Sequence, residues 1–289
     1  MSAGLAVLRV YHSGVVTGWR ARDRELRAAG VDVRLLCPQR WNEGGRVVSA
    51  EPGADAGFVT IARTWGRHPY GFVYGPITLW RELRRRRIDV LDIHEEPCSL
   101  AAVEVVVLAR LAGVRAPVLF YGAQNLEKRF PVPFRWWERR MLQAAAGAHV
   151  CNDDAGRIFR ARGMRGPIRT IGLGVDVERF TPAERPERRR GEALRVGYVG
   201  RLERHKGVQI LIEAIARVPG AVLDVVGGGS FEPELRAMVD RLGVADRIRF
   251  EGFSSYHDLP DVYRRFDVVA VPSLTTPTWV EQFGRVPVE

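Results

Sequence analysis

Short apolar runs alternate with longer amphipathic stretches through the first part of the chain, the rhythm of a parallel sheet with crossover helices. Leu5 to Tyr11, Val31 to Cys37, Val90 to His94, Val118 to Tyr121, His149 to Cys151 and Ile168 to Ile171 read as strands. Between them Arg20 to Ala29, Ile77 to Arg86, Leu100 to Ala112, Phe134 to Ala145 and Asp153 to Arg162 carry helical spacing. Arg46 to Arg63 is less regular and reads as an added hairpin.

A charged, proline-bearing stretch from Glu178 to Glu192 breaks the rhythm, with Pro182, Pro186 and the run Arg188, Arg189, Arg190. It reads as a linker (178–192) between an N-terminal domain (1–177) and a C-terminal one (193–289). Beyond it the alternation restarts. Strands are expected at Leu194 to Val199, Val222 to Val226, Ile248 to Phe250 and Val268 to Val271, and helices at Val208 to Ala216, Glu232 to Leu242 and Leu259 to Phe266. The expected fold class is α/β, two tandem Rossmann-like doubly wound domains with the second incomplete. The chain stops at Glu289, where another helix is expected to begin, and that stop reads as premature.

Composition narrows the classes. Apolar residues make up 46% and charged residues 27% of the 289, which excludes a disordered chain and a multi-span membrane protein. The balance of 44 basic against 34 acidic residues gives a net charge of +10, which suits an anionic partner: a nucleotide diphosphate, an anionic membrane surface or nucleic acid. Lys128 and Lys206 are the only lysines, so each is mildly informative. Cys37, Cys98 and Cys151 are far apart and contain no Cys-x-x-Cys pair, so a reducing cytoplasm is the natural setting. The start carries no basic region ahead of its apolar stretch, and no secretory signal is expected. The run Ala101 to Ala112 is interrupted by Glu104 and Arg110 and falls short of the ~18 residues a spanning helix needs. Membrane contact would therefore be peripheral, at the inner face.

In open α/β sheets ligands bind at the carboxyl ends of strands, so the strand-to-helix turns are where chemistry is sought. The turn after Val199 reads Gly200, Arg201, Leu202, Glu203, Arg204, His205, Lys206, Gly207. It sets an arginine and a lysine at the start of a helix, where charges and dipole favour a phosphate; a solvated basic turn is the bland alternative. Gly227, Gly228 and Gly229 follow the next strand and permit close backbone approach, although glycines also simply make tight turns. A dinucleotide fingerprint would need a glycine where Glu232 stands, and Gly14 and Gly18 follow the first strand at the wrong spacing. A nicotinamide or flavin enzyme is not expected, and no cofactor is.

Gly200-Arg201-Leu202 with Lys206-Gly207, the glycines 227 to 229, Glu251-Gly252-Phe253, Pro272-Ser273, and Glu281 with Phe283-Gly284 and Glu289 resemble the donor half of retaining family-4 glycosyltransferases of the GT-B fold. The resemblance extends through Gly174-Val175-Asp176 with Phe180 and Pro182, and more loosely through the N-terminal domain. It implies that Arg201 and Lys206 hold the diphosphate of a sugar nucleotide and that Glu281 contacts donor-sugar hydroxyls. It further implies that Glu289 binds the ribose, that amides near Phe283 and Gly284 add contacts, that Gly200 and Gly228 belong to the nucleotide-sugar site, and that Gly14 lets the acceptor domain approach the phosphates. Ser13 stands where that loop normally has a second glycine.

Breaking the bond between the anomeric carbon and phosphate develops negative charge on the departing diphosphate, which a fixed arginine, lysine and helix end stabilise without a metal. Asp153 and Asp154 sit at a helix start, where N-capping accounts for them. His12, His68, His149, His205 and His257 show no metal-ligand spacing, and no metal is expected. On the acceptor side the family often has a histidine after the strand ending at Tyr121, but this chain has Gly122, Ala123, Gln124, Asn125. Asn125 could bond a sugar hydroxyl, and of His94, Glu95 and Glu96 after another strand, His94 and Glu96 are the acceptor-side candidates, an ordinary polar strand end being the alternative. Arg84 to Arg87, and Trp136 and Trp137 beside Arg135, Arg139 and Arg140, suit anionic lipid, with solvated helix ends as the bland alternative. Nucleic acid is not an expected partner.

The resulting expectation is a cytoplasmic, retaining hexosyl/glycosyltransferase moving sugar from a nucleotide diphosphate donor to the hydroxyl of a glycan, a lipid-linked acceptor or a small molecule. With no obvious carboxylate nucleophile, a front-face displacement, with the departing phosphate oxygen helping deprotonate the acceptor, fits better than a covalent intermediate. The alternatives are a GT-B-type sugar-nucleotide epimerase, distinguished by incubating donor without acceptor, and a non-catalytic truncated anion-binding protein. The chain ending at Glu289 is itself expected not to turn over, with Glu289 fraying at the terminus.

Overall fold

The computed structural model describes residues 4–43, 46–66, 68–182 and 191–289. The chain divides into two compact units, Met1–Gly172 and Leu173–Glu289. Pro186 and the run Arg188, Arg189, Arg190 of the expected linker lie outside the described residues.

The first unit contains β1 (Ala6–Val10), β2 (Asp32–Pro38), β3 (Arg40–Glu43), β4 (Arg46–Ser49), β5 (Val59–Ala62), β6 (Thr64–Trp65), β7 (Val73–Tyr74), β8 (Val90–Ile93), β9 (Val118–Gly122), β10 (Gly147–Val150) and β11 (Ile168–Thr170). Its helices are α1 (Ala21–Ala28), α2 (Pro76–Arg85), α3 (Leu100–Leu111), α4 (Phe134–Ala144) and α5 (Asp153–Ala161). Seven strands form one sheet in the order β11-β10-β9-β8-β1-β2-β5, every pair parallel. A parallel sheet is covered on both faces, so its central strands must be apolar almost throughout, and all five residues of β1 are buried. The exception in that strand, Arg9, is neutralised in place: its Nε donates to Asp92 Oδ2 at 2.8 Å and its Nη1 to Asp23. Leu8, Val10, Leu91, Ile93 and Phe120 form the centre of the core with Val105 and Leu142 from the helices.

The starts of α3 and α5 follow from side-chain caps. Ser99 accepts from the Ala102 amide at 3.1 Å to begin α3, and Asn152 accepts from the Ala155 amide at 2.8 Å to begin α5. The cap expected of Asp153 and Asp154 thus belongs to Asn152; the two aspartates lie in the first turn, where the helix dipole favours them. The expected hairpin at 46–63 also needs correction. The hairpin is β3 with β4, beginning at Arg40, and Val59–Ala62 instead extends the main sheet by pairing parallel with β2.

The second unit holds β12 (Leu194–Val199), β13 (Ala221–Val226), β14 (Ile248–Gly252) and β15 (Val268–Val269), with α6 (Val208–Arg217), α7 (Glu232–Leu242) and α8 (Leu259–Tyr263). Its parallel sheet runs β14-β13-β12-β15. Leu202, Val208, Ile212, Leu223, Val225 and Leu235 are its buried centre. Two elements are shorter than expected. After Tyr263 the helix ladder tightens into i to i+3 bonds, Arg265 N to Val262 O and Phe266 N to Tyr263 O, both 3.1 Å, so α8 stops short of Phe266. β15 ends at Val269 because its last ladder bond is Ala270 N to Gly197 O at 2.8 Å, ahead of Pro272. At the end of the described residues the Val288 and Glu289 amides close a single turn onto Arg285 O, each at 3.0 Å.

Candidate functional site

Both sheets reverse their winding beside their first strand, between β1 and β8 in one unit and between β12 and β15 in the other. Such a reversal opens a crevice at the carboxyl ends of the two strands, because the connections leave in opposite directions. The candidate residues gather at these two places.

In the second unit the turn after β12 and the segment after β15 are tied together. Leu274 N donates to His205 O at 2.7 Å. Gly207 has a φ of +76°, and a Cβ there would lie 2.1 Å from the Pro272 carbonyl oxygen, so only glycine lets α6 start this close to the other segment. Lys206, next to that glycine, donates from Nζ to Glu281 Oε2 at 2.7 Å, and Ser273 Oγ donates to the same oxygen at 3.0 Å. The Trp279 ring centroid lies 4.4 Å from Nζ, and the His205 ring packs on Trp279 at 4.2 Å. Burial, then Lys206 and Arg201, push the His205 imidazole below its ordinary range, so it is neutral at neutral pH. Arg201 is exposed on the same turn, with its carbonyl held by Tyr198 OH at 2.8 Å.

The structure therefore brings Lys206 and Glu281 into contact and sets Arg201 on the segment leading to them. Gly200 and the glycine triplet support this turn from behind. A Cβ on Gly227 would lie 1.8 Å from Gly200 O, and one on Gly229 would lie 2.3 Å from Leu202 O. Gly228 has nothing within 4 Å of a Cβ, so its backbone faces open space. Gly284 takes a φ of +72°, and Phe283 beside it is half-buried. Glu289 differs from expectation: its side chain is 5% exposed rather than frayed, its Oε2 accepting from Tyr263 OH at 2.7 Å with Arg285 Nε 3.5 Å from Oε1.

In the first unit the crevice between β1 and β8 holds His12, Ser13 and Gly14 on one side and His94, Glu95 and Glu96 on the other. Gly14 is buried, its amide donates to Tyr11 O at 3.2 Å, and a Cβ would lie 3.1 Å from Cys37 Cβ and Leu35 Cδ2. Packing against β2 accounts for this glycine. Glu96 is half-buried, and burial with Glu138 beside it raises its carboxyl to about 7. Asn125, also half-buried, follows β9.

His94 is turned inward. Its side chain is 0% exposed, with Nε2 3.1 Å from Asp92 Oδ2 and Nδ1 3.2 Å from Arg22 Nη2. A guanidinium can only donate, so Nδ1 accepts, Nε2 donates to Asp92, and the ring is neutral. Burial lowers its pKa well below the ordinary value. For Asp92 burial works the other way, but His94, His149 and Arg9 outweigh it and hold the carboxylate well below its ordinary range. An acceptor-binding role for His94 is thus corrected, since both ring nitrogens are engaged inside the core.

His149 Nε2 lies 3.3 Å from Asp92 Oδ1, so Asp92, His94 and His149 place one ligand atom each within 4.8 Å of one another. Sequence spacing missed this cluster because its members come from β8, the segment after it, and β10. A divalent ion does not suit it: the ligand atoms are spent on one another and on Arg9 and Arg22, whose guanidiniums already supply the positive charge.

The most informative pair that sequence reasoning passed over is His12 with Glu95. His12 Nδ1 lies 2.7 Å from Glu95 Oε2, and Tyr74 OH donates to Glu95 Oε1 at 2.7 Å. The available signal was position, since His12 follows β1 as His94 follows β8.

Two family profiles cover the chain: "Glycosyltransferase Family 4" matches residues 12–179 and "Glycosyl transferases group 1" matches residues 181–289. D-inositol 3-phosphate glycosyltransferase of Mycobacterium sp. (strain KMS) is 39% identical over 253 residues, covering 84% of this chain and 52% of the relative. Its counterpart in Mycobacterium ulcerans (strain Agy99) is 37% identical over 164 residues, covering 53% of this chain and 34% of the relative. The chain thus spans about a third to about half of the length of these curated relatives. Among solved structures, Anabaena HepE in complex with UDP and glucose is 18% identical with a TM-score of 0.65, covering 98% of this chain and 77% of that one. Sucrose-phosphate synthase from Thermosynechococcus elongatus is 17% identical with a TM-score of 0.62, covering 94% and 76%. These two likenesses are of fold, the pair of Rossmann-like units of GT-B proteins. With its first profile alone matching more than half of the residues, the chain belongs to Glycosyltransferase Family 4.

Proposed function

We propose that this protein transfers a sugar from a nucleotide diphosphate donor to an acceptor hydroxyl, with retention of configuration. The observation that carries the reading is the convergence of Lys206, Glu281 and Ser273, with Arg201 exposed on the same turn, at the switch point of the second sheet. Lys206 Nζ has two further protons beyond the one given to Glu281, and the start of α6 adds the positive end of a helix dipole. A diphosphate carries more charge than one carboxylate and would compete for Nζ, releasing Glu281 Oε2 to accept hydrogen bonds from sugar hydroxyls. Arg201 would close on the phosphates from the exposed side. Charge that develops on the leaving diphosphate is then met by groups already in place. The family resemblance supports retention through a front-face displacement.

On the acceptor side, Glu96 and Asn125 at the carboxyl ends of β8 and β9 would contact the incoming substrate. The mycobacterial relatives act, by their names, on D-inositol 3-phosphate, which makes a phosphorylated polyol the first acceptor to try. A bilayer surface is a further proposed contact. Trp136 is 55% exposed on α4 with Arg140 5.4 Å over its ring and Arg135 and Arg139 also exposed. Among the described residues no helix is long and apolar enough to cross a membrane.

The test is a transfer assay with the full-length protein, UDP-glucose and D-inositol 3-phosphate, followed by NMR of the product's anomeric configuration and extended to other nucleotide sugars and polyol acceptors. The reading expects acceptor-dependent release of nucleoside diphosphate and an α-linked product from an α-linked donor. Conversion of the donor sugar without acceptor would indicate an epimerase, and a protein that binds no nucleotide sugar would overturn the reading.

A further inference from the structure

The amino ends of the first unit's sheet carry a feature that the transferase reading does not use. α2 ends at Arg85 and is followed by Arg86 and Arg87 on the way to β8; α3 ends at Leu111 and is followed by Gly113 and Arg115 on the way to β9. β8 and β9 are parallel neighbours, so these two connections lie side by side at the end of the sheet opposite the crevice. Gly113 takes a φ of +78°, the left-handed turn that closes α3 and sends the chain back toward β9. The two connections enclose a hollow of about 410 Å³, lined by Arg84, Arg86, Arg87 and Arg115 with the apolar side chains of Leu83 and Ile88 among them.

Four guanidiniums around one hollow repel one another unless an anion lies between them. The carboxylates nearby are committed elsewhere. Asp89 is taken by Arg87, with Nε 2.6 Å from Oδ1, and by the Ala6 amide, 2.9 Å from Oδ2. Glu82 is buried, its Oε2 accepting from Arg34 at 3.1 Å and its Oε1 from Thr60 at 3.1 Å and Arg85 at 3.3 Å. Arg84, Arg86 and Arg115 are exposed and form no ion pair among the described residues; Arg84 instead lies 5.7 Å over the Trp80 ring. The helix dipole accounts for basic residues in the last turns, Arg84 and Arg85 of α2 and Arg110 of α3. Arg86 and Arg115 lie beyond those turns, and the dipole does not account for them.

We propose that this hollow is a second anion site, separate from the donor site, which binds the phosphate group of a phosphate monoester or diester. Guanidinium forks match phosphate oxygens two at a time, which an ammonium cannot do. Arg86 comes from one connection and Arg115 from the other, so a phosphate held by both would bridge the ends of α2 and α3. Leu83 and Ile88 offer apolar surface to the carbon part of such a ligand. β8 is four residues long, roughly 13 Å at about 3.3 Å per residue, and it separates the hollow from Glu96 beyond its other end. A ligand here therefore does not compete with the acceptor; it fixes the protein to a source of phosphate groups, either a lipid headgroup or a free phosphate.

The test has two arms, both on the full-length protein with UDP present to fill the donor site. One titrates inorganic phosphate by calorimetry; the other measures flotation with phosphatidylcholine vesicles with and without phosphatidylglycerol. Three double variants are compared with wild type: Arg86→Ala with Arg115→Ala, Arg86→Lys with Arg115→Lys, and, as a control that removes the same charge from exposed helix ends of the other unit, Arg217→Ala with Arg241→Ala. A lipid headgroup as the source predicts binding to the phosphatidylglycerol vesicles that falls ~10- to 30-fold in the Arg86 and Arg115 alanine variant and is largely kept by the lysine variant. A free phosphate as the source predicts a saturable phosphate titration that weakens at least ~10-fold in the alanine variant, with vesicle binding unchanged. Wild-type melting profiles would show that the variants are folded. The site is overturned if the alanine variant matches wild type in both arms, or if the Arg217 and Arg241 control loses as much binding as the Arg86 and Arg115 variant.

Discussion

A lysine held by a carboxylate makes a specific statement about how the two residues share their work. Lys206 and Glu281 are 2.7 Å apart, and each would be the other's competitor for ligand. Glu281→Ala should therefore leave Lys206 freer to meet a free diphosphate while removing the acceptor of sugar hydroxyl bonds. Calorimetry should show UDP binding held or strengthened and UDP-glucose binding weakened by about 1.5–3 kcal/mol, the usual worth of a charged hydrogen bond. Equal losses for both ligands would mean that Glu281 does not contact the sugar. Titration gives a second residue-scale prediction. Burial raises Glu104 to about 7, so between its ordinary value of 4.5 and 7 the folded protein binds a proton that the unfolded chain has lost. Stability from this group thus falls as pH rises through that window. His94 works in the opposite sense: its lowered pKa means the unfolded chain gains a proton below pH 6.5 that the folded protein refuses, and stability falls as pH drops. Thermal melts at pH 5 and pH 8 should show Glu104→Gln gaining on wild type at the higher pH. At this scale the sequence was informative where a residue type was rare, as for Lys206, or recurred in a motif, as for Glu281. It was uninformative about direction: His94 and His12 both follow strands, and only the packing of Arg22 and Asp92 turns one inward while Glu95 holds the other at 27% exposure.

The turns at the second switch point depend on backbone conformations that only some residues can adopt. At Gly207 a side chain would suffer both a left-handed φ and a 2.1 Å contact with the Pro272 carbonyl, whereas Gly228 faces open space. Gly207→Ala is expected to cost about 1–3 kcal/mol from backbone strain alone and to displace Lys206, whereas Gly228→Ala should melt close to wild type. Denaturant unfolding of the two variants checks this, and similar losses for both would show that the glycines act only as generic turn formers. Helices and central strands were legible because apolar periodicity and burial agree: β12 and α7 have the bounds expected from the pattern. The edges were not. Whether Val59–Ala62 closes a hairpin or adds a parallel strand depends on β2, more than twenty residues upstream, and local alternation contains no information about the partner. The ends of α8 and β15 were overestimated because an apolar run continues past the point where the hydrogen-bond ladder stops.

At the scale of the whole molecule, two sheets built on the same winding rule each gather polar residues at one crevice, the second lined with cations and the first with carboxyl and imidazole groups. That division matches a reaction with an anionic donor and a hydroxyl acceptor. That there are two α/β halves was readable because each repeats the strand-and-helix alternation independently; the compact units themselves divide between Gly172 and Leu173. The Asp92, His94 and His149 cluster was not, since β8 and β10 are not adjacent in the sheet and their juxtaposition is a property of the folded molecule. The central claim, that the turn after β12 binds a nucleotide diphosphate through Lys206 and Arg201, is tested most directly by calorimetric titration of UDP into the wild-type protein and the Lys206→Ala and Arg201→Ala variants. The account predicts that each variant retains the wild-type melting profile and binds UDP at least tenfold more weakly, as expected when one charge-assisted bond is lost. Undiminished UDP affinity in both variants would contradict it.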